Sequence, residues 1–200
     1  MNKIKKVLLV IMACAVVLLM TACGDIAFKH GYWQGQTYYS EYFGFSVKGE
    51  AGWDAMTDDG MADFHHIPDL SSKSLKSVLD KGSLLEMQLS KRGGVTINIH
   101  VYDNEKFPQY REYQYIDTVI NSIEKEFGSL KTISYNAKQG AVNFLGKLTV
   151  CVETDMTIRG LPTTYGLQIP VVRDNYTASI VFTASKKEDI TSALDRFSVI

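Results

Sequence analysis

From Val95 to Tyr102 the chain alternates without a break. Val95, Ile97, Ile99 and Val101 are apolar and β-branched, while Thr96, Asn98, His100 and Tyr102 are polar or amphipathic. Side chains of a strand point alternately to its two faces, so this stretch predicts a strand with one face in a core and the other in a wetter setting. A helix would mix the two sets on every side. Arg92-Gly93-Gly94 stands just before it, and residues 84–89 are strand-like in turn, which predicts an antiparallel hairpin. Any fold for this chain has to accommodate such a sheet.

Further strands are expected at residues 43–47, where Phe43, Phe45 and Val47 alternate with Gly44, Ser46 and Lys48, and at 131–136, 141–144, 147–153, 163–172 and 176–183. Residues 32–39 are aromatic and extended in character, with a turn at Ser40-Glu41. The period changes between Tyr110 and Phe127, where Ile116, Val119, Ile120, Ile123 and Phe127 form one helical stripe, followed by Gly128. A short helix is expected within Ser71 to Asp80. A last one is expected after Ser185, with Ser185 and Glu188 in the spacing of a capping box. Residues 56–70 carry no such stripe and are expected to be irregular. Helices at both ends of a run of strands predict an α+β fold with a central antiparallel sheet flanked by helices.

The first 22 residues are of another kind. Lys3, Lys5 and Lys6 precede an apolar run from Val7, which closes on Met20-Thr21-Ala22-Cys23. Charge, apolar core and small residues in that order make a secretory signal, and about 16 apolar residues are fewer than the roughly 20 of a spanning helix. The closing tetrapeptide resembles the lipobox of bacterial lipoproteins, with Met20 where leucine is usual. The resemblance implies cleavage before Cys23, a diacylglycerol on its sulfur with chains such as palmitate, and anchoring outside the cytoplasm. Residues 1–22 are therefore expected to form a signal helix, 23–37 a lipidated start and short tether, and 38–200 a single domain.

Removal of the signal would leave 178 residues, enough to bury a core without cross-links. Those residues hold 18 basic and 22 acidic side chains, an acidic balance that argues against a nucleic-acid partner. Of three cysteines Cys14 leaves with the signal and Cys23 takes lipid. Cys151 remains alone, so no disulfide is expected.

No P-loop, dinucleotide fingerprint, G-x-S-x-G elbow or H-E-x-x-H motif occurs, and no cofactor is expected. Asp58, Asp59, Asp63, His65, His66 and Asp69 crowd one segment. Oxygen ligands suit calcium, but the spacing is not that of an EF-hand, and a solvated acidic loop is the simpler reading. Cys151 is expected on the same face as Thr149 and Glu153. A Cys151–His100 nucleophile pair would need the two to meet, and a packed strand cysteine is the simpler reading. Tyr32, Trp33, Tyr38, Tyr39, Tyr42 and Trp53 are dense near the start, as a sugar platform, a membrane contact or plain packing. The polar set Asn98, His100, Tyr102, Thr149 and Glu153 is the candidate ligand surface.

The order Tyr39-Ser40, Phe43-Gly44-Phe45-Ser46-Val47, Gly52-Trp53, then a central helix, hairpins, Ile180-Val181-Phe182-Thr183-Ala184, a short helix and Phe197-Ser198 resembles the PsbP-like superfamily over residues 38–200. Ala51 stands where that family often has proline. The resemblance implies a PsbP-like sandwich and a non-catalytic binding or assembly role, with no catalytic residue to carry over. The expectation is a monomeric, membrane-anchored lipoprotein with a protein partner in the envelope. Its alternative is a lipoprotein binding a solute or glycan on its polar sheet face.

Overall fold

The computed structural model describes residues 28–200, the side chains of Glu112 and Tyr113 apart. The signal segment, Cys23 and the first tether residues lie outside the described residues. Two antiparallel sheets and four helices make an α+β fold. In chain order they are β1 (Tyr32–Gln34), β2 (Thr37–Ser40), β3 (Phe45–Lys48), β4 (Trp53–Ala55), α1 (Asp58–His65) and α2 (Ser72–Leu79). The hairpin β5 (Ser83–Lys91) and β6 (Val95–Asp103) follows. Then come α3 (Glu112–Phe127), β7 (Ile133–Phe144), β8 (Lys147–Ile158), β9 (Thr164–Arg173), β10 (Tyr176–Ala184), α4 (Lys187–Leu194) and β11 (Phe197–Val199).

The larger sheet has seven strands in the order β4-β5-β6-β10-β9-β8-β7. The smaller has four in the order β1-β2-β3-β11, so the last strand of the chain returns to pair with β3. One sheet was expected, and the second is a correction. Its strands are three or four residues long, and apart from β3, legible in the alternation of residues 43–47, they are too short to show a period of their own.

The main core lies on one face of the large sheet. Val95, Ile97, Ile99 and Val101 supply it as their alternation requires, joined by Ile180, Phe182 and Ile169 from β10 and β9. The small sheet brings Tyr38, Phe45, Val47 and Phe197, α2 brings Leu75 and Leu79, and α4 brings Ile190 and Ala193. The other face is covered over β7 to β9 by α3, with Tyr115 and Ile116 packed on Val152. The Tyr115 hydroxyl bonds Ser179 and Gln168, fixing α3 on the sheet. Over β6 this second face is half-exposed and polar, with Leu85 of β5 buried beside His100.

Several local expectations change. Residues 58–65 are helical. Thr57 Oγ1 accepts the Gly60 amide at 3.1 Å, Asp58 and Asp59 oppose the helix dipole, and His66 closes the helix at φ 55°. Buried Met61 and Ala62 are too few to make a visible stripe. Strands expected separately at 131–136 and 141–144 are one ladder, since Gly140 pairs with Cys151 and leaves room for the Glu153 side chain rather than breaking the strand. The Ser185–Glu188 box does not form. β10 keeps pairing through Ala184, the helix cap falls on Lys186, and no side chain caps it. The folded body also begins ahead of residue 38. β1 pairs with β2, and the Phe28 ring lies 5.4 Å from Tyr176 and 5.5 Å from Tyr42, within the stretch expected as tether.

Candidate functional site

The polar residues singled out in the sequence do not make one surface. Asn98, His100 and Tyr102 share a face of β6. Asn98 accepts a bond from Gln88 Nε2 at 3.1 Å, and Tyr102 stacks on Tyr110 at 4.0 Å. Registers carry that face across β10 and β9 to Val152, so Glu153 projects from the opposite side, where it pairs with Lys138 at 3.3 Å. Glu153 is therefore corrected out of the candidate surface. The same parity puts Cys151 in the main core rather than on a polar face. It cannot meet His100, and burial pushes its thiol up, away from nucleophilic use.

Two groups of residues do converge, at the seam where the small sheet meets the β4–β5 side of the large one. The deeper is centred on Glu86. Leu85 pairs with His100 and Met87 with Ile99, so Glu86 is the extra residue of a β-bulge. The bulge turns its carboxyl toward the small sheet. There Oε1 accepts the Gly31 amide at 3.2 Å and the Ser40 hydroxyl at 3.3 Å, while the Tyr38 hydroxyl donates to the Glu86 carbonyl at 3.4 Å. Glu86 is 1% exposed, and Oε2 has no hydrogen-bond partner among the described residues. Burial pushes its carboxyl up to about 7, against the lowering effect of the bonds from Tyr38, Gly31 and Ser40.

Three of the four histidines gather round this bulge. β4 pairs only with residues 89–91 of β5, so Leu85 has no strand beside it on that edge. His65 takes that place, with Nε2 3.0 Å from the Leu85 amide nitrogen and 3.2 Å from its carbonyl oxygen. Burial holds His30 below the ordinary imidazole value, with Asp58 opposing and His65 adding to the effect. Burial also lowers His100, with His65 again contributing. The acidic segment is used in other ways. Asp58 and Asp59 open α1, His66 closes it, and Asp69 accepts from Ser71 and Ser74 ahead of α2. No three His, Cys, Asp or Glu side chains among the described residues form a metal-holding group.

The second group is at the surface of the same seam. A cleft of about 530 Å³ is lined by Trp33, Gln36, Glu50, Trp53, Asp58 and Asp59 together with glycine and apolar side chains. Trp33 packs on Tyr38 at 5.4 Å, which links the cleft wall to the Glu86 network behind it. Gly49 ties the β1–β2 turn to the β3–β4 loop by donating to the Gln36 carbonyl at 2.7 Å. Arg196 lies 4.3 Å above the Trp53 ring and pairs with Glu50. Arg196, then Lys91 and Lys48, hold the Glu50 carboxyl below its ordinary value. Asp58 and Asp59 have no ion pair among the described residues.

The sequence offered Trp33 and Trp53 as an aromatic platform, and Asp58 and Asp59 as part of an acidic loop. The fold places them in one cleft. It also separates the aromatic set, since Tyr38 and Tyr42 are core residues and Tyr32 stacks on Tyr39 at the surface. Glu86 was missed, although an acid inside the apolar run Leu84-Leu85-Glu86-Met87 was a usable signal.

No family model and no curated protein matches this sequence. Among solved structures, the chain is similar to cyanobacterial PsbP (CyanoP) from Synechocystis sp. PCC 6803, at 13% identity and a TM-score of 0.47 over 89% of this chain and 97% of that one. It is also similar to PA94 of Pseudomonas aeruginosa, described as a protein of unknown function and putative regulator. That match has 10% identity and a TM-score of 0.32 over 82% of this chain and 88% of the other.

Proposed function

We propose that this chain is an extracytoplasmic lipoprotein, held to the bacterial cell membrane by lipid on Cys23, that works as a non-catalytic binding or assembly module. The observation that carries the reading is the leader, three lysines and an apolar run closing on Thr21-Ala22-Cys23. Two acyl chains anchor stably where one does not, because each buried methylene contributes roughly 0.8 kcal/mol. The PsbP-like reading rests on the sequence resemblance and is part of this proposal. The non-catalytic role is supported by the separation of the candidate nucleophile and base, with Cys151 in the core and His100 on the opposite face of the sheet. A protein of the envelope is the expected partner, and the chain is expected to act as a monomer.

Feeding cells a labelled fatty acid tests the anchor. The unaltered protein is expected to take up label and to sediment with membranes. The Cys23→Ser variant is expected to take up none and either to leave the membrane fraction or to stay as unprocessed precursor. Undiminished labelling of that variant would overturn the proposal. The alternative role, binding of a small ligand, is favoured by the cleft of Trp33 and Trp53.

A further inference from the structure

We propose that the cleft between Trp33 and Trp53 binds an organic ammonium group, the head of a quaternary or fully substituted amine. The inference does not depend on anchoring through Cys23. A cation is drawn to the face of an indole by the ring's quadrupole, and the attraction grows as water is excluded. The protein already uses this attraction once, with Arg196 4.3 Å above Trp53. Every charged residue that lines the cleft is acidic: Glu50, Asp58 and Asp59. Arg196, Lys48 and Lys91 gather at the Glu50 end and answer that charge. Asp58 and Asp59, at the end formed by the start of α1, have no ion pair among the described residues, and the helix dipole offsets their charge only in part.

The alternatives fit less well. A hard metal ion would need oxygens converging on one point, and the described residues supply no such cluster. An anion would meet two unpaired carboxylates. A neutral sugar would use the indole faces and Gln36 but would gain nothing from the charge. A soft, weakly hydrated cation uses both the rings and the carboxylates, and about 530 Å³ is within the range of small-ligand sites, roughly 300–1,000 Å³.

Trp33 and Trp53 are the only tryptophans in the chain, so its tryptophan emission reports this cleft. The experiment titrates the full mature chain with choline at constant ionic strength, in a polyoxyethylene detergent that carries neither choline nor sugar. The controls are 3,3-dimethylbutan-1-ol, the uncharged isostere, and cellotriose. A saturable emission change with choline, weaker with the isostere, is the expected result. Asp58→Asn with Asp59→Asn should weaken choline binding about tenfold, as two exposed charge pairs would. Raising the salt on the unaltered protein should weaken choline and leave the isostere unchanged, which keeps the test decisive if the double variant folds poorly. No saturable response to choline, an equal response to the isostere, or a response to cellotriose alone would overturn the proposal.

Discussion

In the unfolded chain the Glu86 carboxyl has its ordinary value of 4.5, whereas burial in the folded seam raises it to about 7. A raised value means that the folded state favours the neutral acid. Its contribution to stability is fully present below about 4.5 and is lost as pH rises through about 7, a loss on the order of 3 kcal/mol. The buried histidines act in the other sense. His30 and His100 are held low, so they favour the neutral imidazole and withdraw stability as pH falls below its ordinary value. Both remain in a Glu86→Gln variant, so the difference between variant and wild type isolates the carboxyl. Urea unfolding of the two proteins from pH 4 to pH 8 should give stabilities that diverge as pH rises, the variant gaining on the wild type. Parallel curves would mean that Glu86 is ionised in the fold at little cost. Gly31, whose amide holds this carboxyl, has no room for a side chain, since a Cβ would strike the Tyr38 ring and the Tyr39 carbonyl. Gly31→Ala should therefore destabilise the protein by about 1–3 kcal/mol, read as a lowered thermal midpoint.

Among the elements, β11 is short but joins the layers. It pairs with β3 in the small sheet, and its Phe197 ring meets Phe45 of that sheet and Phe144 and Phe182 of the large one at 5.1–5.7 Å. Phe197→Ala should cost about 3–5 kcal/mol in urea unfolding, the cost of a large cavity in a core. A cost under about 1 kcal/mol would show that the two sheets do not depend on this contact. β6 was legible because its residues alternate over eight positions, and β5 because a Gly-Gly turn joins it to β6. The seam was not, because its parts are brought together from far apart in the chain. Gly31 and Glu86 are 55 residues apart, and Arg196 reaches Glu50 across 146. Three-residue strands give no period, a buried acid looks like an interruption, and Gly140 looks like a break until Glu153 is seen lying across it. Trp33, Trp53, Asp58 and Asp59 were each visible as unusual residues. Their meeting in one cleft is a product of the pairing of β4 with β5 and of the turn into α1.

For the whole molecule, the proposed anchor and the observed body constrain one another. Four residues lie between Cys23 and Phe28, the first described residue, and an extended chain covers at most about 3.6 Å in each of the five steps from one to the other. A domain tethered in this way stands no more than about 18 Å from the lipid, with the end formed by Phe28, Tyr42 and Tyr176 nearest the membrane. Among the described residues no helix is long and apolar enough to cross a membrane. The proposed anchoring depends on the cleaved and lipidated cysteine. Its most direct test is the intact mass of the protein taken from the cells that make it. The expected mass is that of a chain starting at Cys23 and carrying a diacylglyceryl group. A chain that still begins at Met1, with Cys23 unmodified, would contradict it.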